Sequence, residues 1–192
     1  MEISVDWSVN LLHEYHLAHN ALRVNSEKIQ QLSPNTWTTP PANILRMNVD
    51  AAYNERTNCF AIAGVIRNHE GQPELAFGHQ ISKPQSVLCS ELLAIEGGLQ
   101  IAETHNFQIS HVTLDSLHAL QAYTRMKEHF SYAGFIAIDI KRLLDSQSNT
   151  YLSHVRRSAN AVAHSIAAFS ISSSSNCVEN WRLSFVVNTS CN

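Results

Sequence analysis

The stretch 47-MNVDAAYNERTNCFAIAGVIRNHEGQ-72 holds two apolar runs separated by a polar turn. In the first, Leu45, Met47 and Val49 alternate with Arg46, Asn48 and Asp50, the period of two that marks a half-buried strand. The run 59-CFAIAGVIRN-68 is apolar nearly throughout and reads as a second, more buried strand. The turn 68-NHEGQ-72 carries Gly71, and 74-ELAFGHQI-81 returns as a third strand, completing an antiparallel meander. Asp50 is the residue that does not fit. Strands disfavour aspartate, so a carboxylate inside this one needs a reason.

Downstream the pattern changes from period two to helical spacing. In 90-SELLAIEGGLQIAETHN-106, Ser90 is the expected N-cap, and Leu92, Ile95, Leu99 and Ala102 share a face. The Gly97-Gly98 pair costs helix propensity, about 1 kcal/mol per glycine against alanine, which close packing on the sheet would offset. A short strand at 111–115 follows, then helices at 117–127 and 132–145, a strand at 150–156 and a helix at 158–172. The expected fold class is α/β: three antiparallel strands first, then αβ units, giving a five-stranded mixed sheet flanked by helices.

The flanks differ in character. Residues 1–36 read as a polar N-terminal arm ending in the helix-breaking 34-PNTWTTPPANI-44, residues 37–172 as the domain, and residues 173–192 as a tail with a weak last element at 181–187. With 192 residues and 44% hydrophobic content, the chain can bury a core without a disulfide or a structural metal. Cys59, Cys89, Cys177 and Cys191 form no C-x-x-C pair, so reduced thiols are expected. The N-terminus lacks a basic region followed by an apolar core, and no window is long and apolar enough for a membrane span. An intracellular protein, nuclear or cytoplasmic and not secreted, is the expectation. A net charge of −3 does not by itself point to nucleic acid.

Three acids stand at element boundaries: Asp50 in the first strand, Glu91 at the start of the first helix and Asp115 at the end of the fourth strand. Each has an ordinary explanation, as a helix-dipole partner or a cap. As a set they point further. Three partly buried carboxylates that converge repel one another unless protons or cations are shared among them, and an oxygen-rich acidic cluster suits Mg²⁺.

Five blocks then carry a resemblance: 37-WTTPPANILRMNVDAAY-53, 63-AGVIRNHEGQ-72, 90-SELLAIEGGLQIA-102, 114-LDS-116 and 154-HVRRSANAVAHSIA-167. In this order the chain resembles the ribonuclease H type 1 superfamily, in its reverse-transcriptase-like, retroelement-related branch. The resemblance implies hydrolysis of the RNA strand of RNA–DNA hybrids by two divalent ions, Mg²⁺ or Mn²⁺. It implies that Asp50, Glu91 and Asp115 are the metal ligands, that His154 is a mobile histidine aiding proton transfer, and that an RNA–DNA hybrid is the partner.

The departures from the family pattern bear on activity. The fourth carboxylate position falls on His164, as it does in many members of the branch, and imidazole is a poor Mg²⁺ ligand. The segment 86-SVLC-89 lacks the asparagines that touch the minor groove in bacterial members, and a basic handle helix is missing. A catalytically weakened nucleic-acid-binding or interaction module is therefore the alternative function. Asn54, Ser116, Arg156 and Arg157 are candidate nucleic-acid contacts, with turn and cap roles standing beside the binding role for Asn54 and Ser116. His13, His16 and His19 are spaced as metal ligands are, but no acid or cysteine completes a set, and they read as arm surface.

Overall fold

The computed structural model describes residues 36–125, 131–147, 150–173 and 177–180. Strands β1 (Arg46–Asn54), β2 (Cys59–Arg67) and β3 (Pro73–Ile81) form the expected meander. Helix α1 (Val87–Thr104), strand β4 (His111–Leu114), helices α2 (Leu117–Thr124) and α3 (Tyr132–Ser146), strand β5 (Tyr151–His154) and helix α4 (Ala161–Ser173) follow. The sheet order is β5-β4-β1-β2-β3-β6, with β4 parallel to both β1 and β5. The five expected strands are thus joined by a sixth, β6 (Cys177–Asn180), which pairs antiparallel with β3 in the segment read from sequence as a loose tail. The expected element at 181–187 lies outside the described residues.

Both faces of the sheet are covered. Met47, Val49, Ile62, Ile66, Leu75 and Phe77 meet Leu92, Ile95 and Leu99 of α1 on one face, with Ile136 and Ile140 of α3 in the same core. On the other, Ala63, Val65 and Ala76 meet Val162, Ile166 and Ala167 of α4 in a thinner layer of small side chains. This overturns the reading of β1 as half-buried. Asn48 and Asp50, on the face expected to see water, are 0% and 2% exposed because α4 lies across them. Buried polar groups must find partners, and here they are His164 for Asp50 and Asn160 for Asn48.

Two local readings also change. The first helix begins four residues earlier than expected: Ser86, not Ser90, is its N-cap, its side chain accepting the Cys89 N–H at 3.2 Å. Ser90 lies inside the helix and its hydroxyl donates to the Val87 carbonyl instead. The last helix is preceded by a separate 3₁₀ turn, Arg157–Ala159, and Asn160 joins the two. The close packing inferred for Gly97-Gly98 is present. A Cβ at Gly97 would stand 2.7 Å from Ile62 Cδ1, and one at Gly98 would stand 3.0 Å from Val49 Cγ1.

Candidate active site

Asp50 and Asp115 come from neighbouring parallel strands. The register pairs Met47 with Val112 and Asn48 with Thr113, and the same offset carried past the last pair sets Asp50 beside Asp115. Glu91 approaches from α1. Its helix starts at Val87, so Glu91 stands in the second turn, where the dipole's pull on an acid has faded. Asp115 is not a cap either, since Ser116 takes that role by accepting the Ala119 N–H at 3.2 Å. The ordinary explanations for both acids therefore fail on geometry.

The three carboxylates sense one another. Burial, then the charges of Asp50 and Asp115, push Glu91 up to about 8, with Arg157 opposing. Asp50 is likewise raised, first by burial and further by Asp115, while its bond to His164 works the other way. His164 Nδ1 is 2.8 Å from Asp50 Oδ2. Arg157 lies against the same ring, 2.9 Å from Nε2. A guanidinium only donates, so the arrangement is satisfied when Nδ1–H serves Asp50 and the Nε2 lone pair faces Arg157. Arg157 Nη1 also reaches Asp115 Oδ2 at 3.4 Å, and Asn160 Nδ2 reaches Asp115 Oδ1 at 3.3 Å.

Among the described residues, no three His, Cys, Asp or Glu side chains stand as a ready-made shell for a metal ion. The donor chemistry nevertheless fits a hard divalent cation: the acids are oxygen donors whose mutual repulsion and burial a cation would relieve. Asp50, Glu91 and Asp115 are the side chains that would hold it. In the structure as it stands, His164 and Arg157 occupy oxygens of Asp50 and Asp115.

The remaining candidates sort by position. His154 is exposed at the end of β5, with Nε2 3.2 Å from the Asp115 carbonyl oxygen. Arg156 is exposed on the turn beside Arg157. Asn54 serves its own turn, its Oδ1 accepting from the Arg56 and Thr57 N–H groups. A groove of about 710 Å³ opens next to these groups, lined by Ala52, Tyr53, Asn54, Arg56, Arg157 and His164 among others. His13, His16 and His19 lie outside the described residues. No described helix is long and apolar enough to cross a membrane.

Asn48, Arg67 and Asn160 also border the site and are not among the sequence-based candidates, although for Asn48 and Asn160 the sequence carries a signal. Asn48 is two residues before Asp50, on the same strand face, and Asn160 is four before His164, one helical turn away at the start of α4.

A family model described as reverse transcriptase-like matches residues 48–170. Comparison with curated proteins gives no match. Among solved structures, an RNase H1 from the halophilic archaeon Halobacterium salinarum superposes with a TM-score of 0.61 at 17% identity, covering 69% of this chain and all of that one. An RNase H1 isolated from compost, solved in complex with an RNA/DNA hybrid, gives 0.59 at 15% identity over 68% of this chain and 98% of its own. The N-terminal RNase H domain of a Mycobacterium tuberculosis protein gives 0.57 at 14% identity over 67% and 94%. At these identities the likeness speaks for the fold.

Proposed function

This chain belongs to the reverse transcriptase-like family, and from that premise we propose that it hydrolyses the RNA strand of RNA–DNA hybrids with divalent cations held by Asp50, Glu91 and Asp115. The observation that carries the proposal is the approach of three carboxylates from β1, α1 and the end of β4, close enough that each of Asp50 and Asp115 helps raise Glu91 to about 8. No packing requirement explains that concentration of acid. The RNase H-like fold, and a structural neighbour solved with an RNA/DNA hybrid, support the substrate class.

Bound among these acids, divalent cations supply the charge that activates water and steadies the leaving oxygen of an in-line displacement at phosphorus. The protein's own groups do the rest. His164 fixes the orientation of Asp50 through its 2.8 Å bond. Arg157 and Arg56 border the groove and offer cationic donors to backbone phosphates, the part of RNA that proteins most often grip. His154, at the rim beside Asp115, would pass a proton to the departing oxygen.

A second reading has its own observation. His164 and Arg157 hold oxygens of Asp50 and Asp115, an arrangement a binding module without efficient turnover could keep permanently. Cleavage of a labelled hybrid with Mg²⁺ or Mn²⁺, beside Asp50→Asn and His164→Asp variants, separates the two. Cleavage lost in Asp50→Asn supports the nuclease. Hybrid binding without cleavage, with cleavage appearing in His164→Asp, supports the binding module. Neither binding nor cleavage in any variant overturns both.

A further inference from the structure

Behind the acids, a line of buried polar side chains runs from Trp37 to Asp115. Arg67, on β2, is 1% exposed and lies under the Trp37 ring, its guanidinium carbon 3.9 Å from the ring centre. Its Nη2 is 2.8 Å from Asn48 Oδ1, and Trp37 Nε1 is 3.2 Å from the same atom. Guanidinium and indole N–H groups only donate. Two such donors on one amide atom require that atom to be the oxygen, so the orientation of Asn48 is dictated by its neighbours.

The rest follows in sequence. With Oδ1 committed, Asn48 Nδ2 points the other way, to Asn160 Oδ1 at 3.0 Å and the Ala159 carbonyl at 3.4 Å. That commits Asn160 to present Nδ2 to the Val49 carbonyl at 2.9 Å and to Asp115 Oδ1 at 3.3 Å. Both asparagines are 0% exposed, so neither can turn towards water. Flipping either amide would set donor against donor or acceptor against acceptor, and a buried polar group without a matching partner keeps its full desolvation cost. Asn160 also starts α4, its carbonyl accepting the His164 N–H at 3.1 Å. One residue therefore touches Asp115 through its side chain and, through its main-chain carbonyl, opens the helix turn that carries His164.

We propose that Arg67 and Asn48 are positioning residues for the acid cluster: a one-way hydrogen-bond relay, anchored under Trp37, that keeps a donor on Asp115. The inference deepens the nuclease reading and rests on it for its consequence in turnover, but the relay itself can be tested without turnover.

The informative variant is Asn48→Asp. It keeps the size of the side chain and its bond to Arg67, but replaces the donor facing Asn160 Oδ1 with an acceptor. Arg67→Met removes the shorter of the two donor contacts on Asn48 Oδ1 and leaves only the Trp37 N–H, and Arg67→Lys restores a cationic donor. Three readouts are taken: the melting temperature, Mn²⁺ affinity from the free-ion EPR signal, and the side-chain amide NMR signals of Asn160.

The expected result is a lowered melting temperature in Asn48→Asp, a displaced Asn160 side-chain signal, and Mn²⁺ affinity lower by roughly 10- to 100-fold at a temperature where the variant is fully folded, the usual cost of losing an outer-shell partner. Where the wild type cleaves hybrid, kcat falls and KM holds. Arg67→Lys lies nearer wild type than Arg67→Met. An unmoved Asn160 signal, or losses that simply track melting temperature across the variants, overturn the relay. A wild type that neither binds Mn²⁺ nor cleaves overturns the nuclease reading instead, and the Asn160 signal alone then decides the relay.

Discussion

His164 Nδ1 meets Asp50 Oδ2 at 2.8 Å, tying the first turns of α4 to the strand that carries the most buried acid of the cluster. The pair is uneven in exposure: the histidine side chain is 36% exposed and the aspartate 1%. Position 164 thus faces both the cluster and the open groove, and its charge acts on whatever cation enters. His164→Asp is expected to tighten divalent-ion binding. A unit charge about 4 Å from a divalent ion gains about 2 kcal/mol even at the dielectric of water, roughly 30-fold. The same variant adds a fourth acid to the metal-free site and removes the His164 donor from Asp50, so its melting temperature without metal should fall. Calorimetric titration with Mg²⁺ checks the first outcome and thermal melts in chelator the second. Unchanged affinity would place the cation away from this residue.

Glu91, raised to about 8 from 4.5, gives the cluster a pH signature. The folded state holds this proton more tightly than the unfolded chain does. The resulting stability is fully present below about pH 4.5 and is lost as pH rises through about 8. The metal-free protein should therefore lose melting temperature across that window more steeply than Glu91→Gln, which has no proton to give up there. A cation competes with the same proton. Divalent-ion affinity should climb towards pH 8, with proton release visible as a binding enthalpy that depends on buffer ionisation heat. Parallel Tm–pH curves for wild type and Glu91→Gln would refute the assignment.

Legibility in the sequence followed the strength of local signals. The β1–β3 meander was readable because alternation, Gly71 at a positive φ of 82° and the Asn68 turn all agree. The acids were readable because Asp50 contradicted its strand. The covering of Asn48 and Asp50 by α4 was not, since burial of the second sheet face depends on a helix more than a hundred residues away. Strand β6 escaped because its four residues pair through backbone at the edge of β3, which leaves little side-chain pattern to find. The relay through Arg67 was hidden for the same reason as the burial: no local pattern tells a buried arginine at a strand end from an exposed one.

Arg157 touches Asp115 and the His164 ring from a side chain that is 66% exposed, so its worth lies in what it meets from outside rather than in fold stability. Arg157→Ala is expected to leave the melting temperature near wild type and to weaken hybrid binding. If Arg157 neutralises one phosphate, the slope of log affinity against log salt should shrink by about one unit. Binding measured by fluorescence anisotropy at several salt concentrations checks this. An unchanged slope would mean that Arg157 serves only the neighbouring side chains.

Gly78 on β3 sets how closely α4 approaches the sheet, and hence where His164 stands. A Cβ there would fall 2.0 Å from Ser170 Oγ and 3.3 Å from Ile166 Cγ2. Ser170 is wholly buried and its hydroxyl donates to the Ile166 carbonyl at 2.8 Å, so it has no open space to turn into. Gly78→Ala should therefore displace the helix and destabilise by about 1–3 kcal/mol, the usual cost of overpacking. Removing the obstructing atom should reverse the effect: with Ser170→Ala added, the new methyl meets Ser170's own Cβ at 3.3 Å, a tight but accommodable contact. The double variant is expected to be more stable than Gly78→Ala alone, a non-additive pair in a denaturation cycle. Additive losses would show that α4 is held from elsewhere and that Gly78 does not govern its approach.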